Sequence, residues 1–429
     1  MKRILVIFGT RPEAVKMAPV VLGLQEAADR FQVQVTVTGQ HRQMLDQVLA
    51  LFGIVPDYDL GVMTAGQDLF DVTARVLLGL REVLRRERPH LVLVHGDTST
   101  TLAAALAAFY EQIPVGHVEA GLRTQDRLRP FPEEMNRRVV AVLADYHFAP
   151  TPWARENLIA EGVPRDRIWV TGNTVIDALN LVAAQVAQEE AFWRDYLARN
   201  WGVTPEGGCL ILVTGHRREN WDGLEDLCLA LRDVAEHCPG VHLVFPVHLN
   251  PRVQQVVWTV FRPPRQAGHN GALVLETAAG SRLTLLPPLD YAPFVYLLSR
   301  CHLVLTDSGG LQEEAPALGK PVLVLREVTE RPEALWAGAV KLVGTRREQI
   351  FRAVRELLEN PASYRAMAQA GNPFGDGQAA ARLVRILDSL LQEKPPWAAA
   401  SALGKKATRA ATAAKPLDYF PRFLQGLSR

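Results

Sequence analysis

Thr306-Asp307-Ser308-Gly309-Gly310-Leu311-Gln312-Glu313-Glu314 puts a strand end, a glycine turn and a helix start into nine residues. The run Cys301 to Leu305 before it is apolar and strand-like, and Leu311 to Leu318 after it keeps helical spacing. Ser308, Gly309 and Gly310 therefore stand where unpaired backbone N–H groups meet the positive end of a helix dipole, a setting that suits a phosphate or diphosphate. Two glycines let the backbone approach a ligand with no Cβ in the way. An ordinary strand-to-helix turn with Ser308 as its cap fits the same residues.

Outward from this stretch, short β-branched runs alternate with helical patterns. Ile4 to Phe8, Val33 to Thr38, Leu91 to Val94, Val115 to Val118, His147 to Ala149 and Ile168 to Val170 form a first series. A long helical segment, Thr174 to Asn200, leads to a second: Leu210 to Val213, Val241 to Pro246, Leu283 to Leu286, His302 to Thr306 and Val322 to Leu325. Such alternation specifies βαβ units, so the fold class is α/β: two Rossmann-like domains with parallel sheets and helices on both faces, facing across a cleft. The expected boundaries are 1–173 plus a crossover helix in 378–394, then 174–377, then an Ala-rich basic tail, 395–429, expected to be disordered.

The chain has 429 residues, an apolar share of 48% and a formal charge of +1. The tail carries +5 of that, leaving the body at −4, which does not favour nucleic acid as a partner. Cys209, Cys228, Cys238 and Cys301 show neither CxxC pairing nor zinc spacing, so no metal is expected and the thiols fit a cytoplasmic protein. The apolar run after Lys2-Arg3 ends at Gly9, and Leu102 to Phe109 is far too short to cross a membrane.

Polar residues recur just beyond strand carboxyl ends, the side that faces the ligand crevice in open α/β sheets. Asp97, Glu119, His216 and Asp307 all hold such positions. Asp97 also fits a cap for a helix starting near Thr98, whereas Glu119 has no helix to cap. Glu133 and Glu134 open a predicted helix after Pro130-Phe131-Pro132, where carboxylates suit the dipole. Thr10 and Glu13 fit a capping box. Arg11, Lys16 and Arg331 fit either an oxyanion or a solvated surface. Phe8-Gly9-Thr10-Arg11-Pro12-Glu13 is not a GxGxxG loop, so no redox dinucleotide is expected. Carboxylates, a histidine, cations and a phosphate cradle together suggest proton transfer beside a phosphorylated leaving group.

At these residues the chain closely resembles the non-hydrolysing UDP-N-acetylglucosamine 2-epimerases. The likeness rests on Phe8 to Ala14, Val94-His95-Gly96-Asp97-Thr98, Gly116 to Thr124, Pro132-Glu133-Glu134, Thr214 to Glu219, the cradle, and Thr329-Glu330-Arg331-Pro332-Glu333. The resemblance implies a GT-B-like fold, a cytoplasmic homodimer, and interconversion of UDP-N-acetylglucosamine and UDP-N-acetylmannosamine with no cofactor, through bound 2-acetamidoglucal, to supply mannosamine for cell-surface polysaccharide. By resemblance Asp97, Glu119, Glu133, Arg137 and His216 are catalytic. Arg11, Lys16, His216, Leu289 (through its backbone), Phe294, Ser308, Gly309, Gly310, Glu314 and Arg331 hold the nucleotide. Gln40, His41, Arg42 and Gln43 match a regulatory UDP-sugar pocket found in some members, although Ala65-Gly66 departs from that pattern. The competing readings are a glycosyltransferase of the same architecture, a hydrolysing epimerase, and a silent UDP-sugar-binding protein.

Overall fold

Ile4 to Phe8 form an unbroken apolar run because both faces of the strand that holds them are covered, the usual condition of a parallel sheet. In the computed structural model, which describes residues 1–39, 42–64, 66–204, 208–215, 223–261 and 271–392, this strand is an interior strand of a seven-stranded sheet. Its members are β1 (Lys2–Phe8), β2 (Phe31–Val37), β3 (Tyr58–Asp59), β4 (Leu91–His95), β5 (Val115–Val118), β6 (Tyr146–Ala149) and β7 (Ile168–Val170), in the order β3-β2-β1-β4-β5-β6-β7. All pairs are parallel, with Ile4 opposite Val33 on one side and Leu91 on the other.

A second sheet follows, from β8 (Cys209–Thr214), β9 (Val241–Pro246), β10 (Leu273–Glu276), β11 (Arg282–Leu286), β12 (Leu303–Thr306), β13 (Val322–Val324) and β14 (Val340–Leu342). Its order is β10-β11-β9-β8-β12-β13-β14, and β10 alone runs antiparallel, as an edge strand against β11. The strand order reverses between β1 and β4 in one sheet and between β8 and β12 in the other. Open α/β sheets hold ligands at such switch points, beyond the strands' carboxyl ends. Each sheet has its own apolar centre, around Leu5, Ile7, Val92 and Val94 in the first and around Ile211, Val213, Leu243 and Leu305 in the second.

All eleven expected strands are present, with ends shifted by a residue or two. Three others, β3, β10 and β14, are short or lie at sheet edges and carry little period-two signal. The expected continuous helix is two, Thr174–Gln188 and Glu190–Trp201. Gln188, Glu189 and Glu190 interrupt the apolar stripe there, and the second helix gathers its own cluster of Phe192, Trp193, Tyr196 and Trp201.

Met1–Val384, with both sheets, form one compact unit, and Arg385–Arg429 separate as another. Of the second unit only the end of the helix Ala379–Gln392 is described; the expected tail, 395–429, and the insertion residues 262–270 lie outside the described residues. Among the described residues no helix is long and apolar enough to cross a membrane. The start of the helix Ala379–Gln392 is held by a carboxylate from elsewhere in the chain: Asp177 accepts from Ala379 N at 3.1 Å and Ala380 N at 2.8 Å. Replacing Asp177 with Ala removes both acceptors from buried donors. It is expected to destabilise the protein by about 2 kcal/mol, read as a lower urea midpoint at unchanged slope.

Candidate active site

The turn after β1 is built around one buried carboxylate. Thr10 caps the helix Arg11–Glu26 and Glu13 completes the box, accepting from Gly9 N at 3.0 Å and Thr10 N at 2.7 Å. Its other oxygen takes Thr98 Oγ1 at 2.6 Å and Thr101 Oγ1 at 3.0 Å, so the same side chain ties this turn to the loop after β4. Burial pushes the Glu13 carboxyl up, against the hydrogen bonds it accepts. Gly9 is required by space: a Cβ there would run into the hydroxyls of Thr38 and Thr100, which bond one another at 3.0 Å.

Beyond β4 the ambiguity over Asp97 is resolved by its neighbour. Thr98 is the cap of the helix Ser99–Tyr110, its Oγ1 accepting from Thr101 N at 3.1 Å. The Asp97 carboxylate instead meets Arg137 Nη2 at 2.6 Å, and Asn136 Nδ2 donates to the Asp97 carbonyl at 2.9 Å. Arg137 projects from the helix Glu133–Leu143, whose first residue is Glu133. Glu119, just past β5, has φ of 61°, the left-handed region that a residue with a side chain enters at a cost and that clusters at functional sites. A Cβ on Gly96 would stand 3.8 Å from Glu119 Oε1, so the Glu119 carboxylate lies beside the turn that carries Asp97. Arg123, in the same loop, is turned onto Glu161 at 2.6 Å and has a structural task.

Glu119 is the head of a buried chain of polar groups. Lys16 pairs with it, and Asn173 Nδ2 donates to its Oε2 at 2.8 Å. The same Asn173 nitrogen donates to Glu313 Oε2 in the other half of the unit, and Arg331 Nε donates to Glu313 Oε1. Arg331 Nη1 then reaches Glu330 at 2.7 Å, and Arg326 Nη1 reaches its second oxygen at 2.7 Å. Lys16, Arg326 and Arg331 thus balance Glu119, Glu313 and Glu330, which is how charge survives burial. Burial pushes the Glu119 carboxyl up, but Lys16, His95 and Arg331 outweigh it and hold the group below the ordinary carboxylate range. Burial likewise works against Lys16, and Glu119 and Glu313 hold its ammonium up. Glu313 is the reverse case: burial wins over Arg331 and Lys16, and its carboxyl sits high. His95, 3.7 Å from Glu119, is brought down to about 4 by burial, so at neutral pH it faces the carboxylate as a neutral ring.

The nucleotide-binding candidates come from both halves. Arg11 Nη2 donates to the Leu289 carbonyl at 3.1 Å, joining two of them across the halves. Tyr291 OH donates to Glu314 Oε1 at 2.7 Å, burial raising both groups. Phe294 is half-buried on the helix Tyr291–Arg300. Ser308 is not a helix cap: Gly310 holds that position before Leu311–Ala317, and the Ser308 N–H goes to Thr306 Oγ1 at 2.9 Å. The Gly309 backbone is approached by protein, since a Cβ there would stand 2.9 Å from Arg331 Cζ. Lys16 and Arg331 are buried and paired, which removes the solvated-surface reading of both.

Some candidates fall elsewhere. His216, Gln40 and His41 lie outside the described residues, and Arg42 and Gln43 open the helix Arg42–Leu51. Among the described residues, the group with metal-ligand spacing is Asp233, Glu236 and His237; it includes no candidate site residue, and Arg347 holds Asp233 at 2.6 Å. Asn173 and Glu313 were missed as site residues. Asn173 lies beyond β7 but one residue past the reach of the rule that picked out Asp97, and Asn before a helix reads first as a cap.

The family profile described as UDP-N-acetylglucosamine 2-epimerase matches residues 24–388. The chain belongs to that family. A relative from Ralstonia solanacearum, described as a probable UDP-N-acetylglucosamine 2-epimerase, is 52% identical over 393 residues, covering 91% of this chain and 99% of its own. The crystal structure of the UDP-GlcNAc 2-epimerase from Neisseria meningitidis bound to UDP-GlcNAc superposes with a TM-score of 0.81 at 44% identity, over 90% of this chain and 99% of that one. The glycosyltransferase SnogD from Streptomyces nogalater, at 18% identity and a TM-score of 0.52, covers 90% of this chain and 99% of its own and shares the fold alone, which is GT-B-like.

In this epimerase-family site, replacing Lys16 with Met leaves Glu119 buried without its ammonium. The variant is expected to lose about 3–5 kcal/mol at neutral pH. The wild-type Glu119 carboxyl, held low, contributes stability that is present above its unfolded pKa and lost only as pH falls through the depressed folded one. In the variant the carboxyl rises, so the deficit against wild type should shrink on acidification. Urea unfolding of both proteins between about pH 5 and 8 checks the sign.

Proposed function

We propose that this protein is a non-hydrolysing UDP-N-acetylglucosamine 2-epimerase, an isomerase that interconverts UDP-N-acetylglucosamine and UDP-N-acetylmannosamine without an added cofactor. The hydrogen on sugar carbon 2 has no carbonyl beside it, so removing it as a proton leaves a carbanion with no stabiliser. Loss of UDP solves this. The C2–H electron pair forms a C1=C2 double bond as the C1–O bond breaks, the proton goes to a protein carboxylate, and UDP departs as an anion. The products are bound 2-acetamidoglucal and UDP. Re-addition reverses the bond changes with the proton delivered to the opposite face.

The observation that supports this reading is the ion pair of Asp97 with Arg137, which stands one helical turn from Glu133, while the Glu119 carboxylate lies beside the Gly96 turn that leads into Asp97. A Glu119 carboxyl held ionised suits a group that must accept a proton. By resemblance, the donors for the departing anion are Arg11, Lys16, His216 and the backbone of Ser308, Gly309 and Gly310, with Arg331 against Gly309. Leu289 contacts the nucleotide through its backbone, Phe294 lies against the uracil and Glu314 takes the ribose. The protein works as a cytoplasmic homodimer, and the mannosamine sugar feeds cell-surface polysaccharide. The structure of the Neisseria relative with UDP-GlcNAc supports the choice of substrate.

Incubation with UDP-N-acetylglucosamine in deuterated water, followed by NMR, tests the proposal. Deuterium at carbon 2 and a UDP-N-acetylmannosamine signal are expected; free sugar means a hydrolase, and an unchanged substrate means a transferase or a binding protein. Asp97→Asn and Glu119→Gln should abolish turnover while UDP still binds, and near-normal activity in either defeats the assignment.

A further inference from the structure

Asn173 sits where β7 passes into the helix Thr174–Gln188, the passage from the first sheet to the second. It is buried, and every polar atom of its side chain is used. Oδ1 accepts from Val175 N at 3.2 Å, which caps the helix. Nδ2 lies between two carboxylates, Glu119 Oε2 at 2.8 Å and Glu313 Oε2. A primary amide carries two N–H groups, so each carboxylate receives one. Its backbone N–H donates to the Phe374 carbonyl at 2.6 Å, which leaves the amide little freedom to follow either partner. Glu313 is fixed in turn by Arg331, and its own carbonyl accepts from Asn372 Nδ2 at 3.1 Å.

We infer that Asn173 is a positioning residue for the reaction, and that it makes the orientation of the Glu119 carboxylate depend on the two halves being together. This rests on the functional reading above. Two carboxylates facing one another repel. The amide replaces that repulsion with two attractive contacts, at the passage of the chain from the first sheet to the second. Glu119 Oε2 then takes Asn173 and Lys16, leaving Oε1 toward Gly96 and the crevice. No role in touching the sugar or the nucleotide is assigned to Asn173.

The test uses the full-length protein and Asn173→Asp. Aspartate keeps the helix cap of asparagine, but it brings no N–H and adds a third negative charge, so folding of the variant is checked by circular dichroism. Epimerisation in deuterated water is followed by NMR, and UDP affinity is measured by calorimetry. The expected result is a fall in kcat of roughly 100-fold with the Kd for UDP within about threefold of wild type, since misplacing a reacting group costs rate before it costs ground-state binding. Two outcomes overturn the inference: kcat within about twofold of wild type, or kcat and UDP affinity falling together by similar factors, which is the mark of a structural role alone. If Asn173→Asp lacks the wild-type circular dichroism, Asn173→Ser decides by the same criteria, since serine keeps the cap and is too short to span both carboxylates. Wild-type protein that fails to epimerise overturns the functional reading itself. An active wild type with an active variant overturns only the role of Asn173.

Discussion

Buried charge must be paired, and in this protein that requirement organises the site. Lys16, Glu119, Asn173, Glu313, Arg331, Glu330 and Arg326 form an unbroken sequence of contacts from the first sheet to the second. Moving a carboxylate or an ammonium out of water costs several kcal/mol, and the loss of any one member leaves its neighbour uncompensated. The residues around the crevice are therefore interdependent. The Glu119 carboxylate is kept ionised by a lysine from one element, while an amide from another donates to the same oxygen.

The architecture supplies the places for these groups. Parallel strands end together, and the strand order reverses once in each sheet, so the turns after β1, β4 and β5 open on one crevice and the turn after β12 opens on its counterpart. Glycine enters where room is short. Gly9 leaves space for Thr38 and Thr100, and Gly309 for the Arg331 guanidinium. The strained backbone of Glu119 fits this pattern, because a left-handed residue with a side chain persists only where its surroundings fix it, and here Lys16, His95 and Asn173 surround its carboxylate.

Several features were legible before any coordinates. The alternation of apolar strands with helical patterns gave the two sheets, since a strand buried on both faces needs a run of Val, Ile and Leu. The capping box at Thr10 and Glu13, the helix opening at Glu133 and the glycine turn at Ser308 to Gly310 depend on residues three or four positions apart. Edge strands such as β10 escaped notice because one hydrogen-bonded neighbour and a half-exposed face leave little pattern. The break at Glu189 escaped for a related reason: every residue around it is a competent helix former.

Sequence alone determined the fold class, the family motifs and the kinds of group at the crevice, because those follow from local spacing and residue chemistry. It left Asp97 poised between a cap and a site residue, and Lys16 and Arg331 between surface and ligand charges. Only the tertiary structure decided these, by giving the cap to Thr98 and by pairing Lys16 with Glu119, 103 residues away, and Asn173 with Glu313, 140 residues away. Which buried charge meets which is set by the approach of whole sheets, and a contact across that distance leaves no periodic trace in the chain.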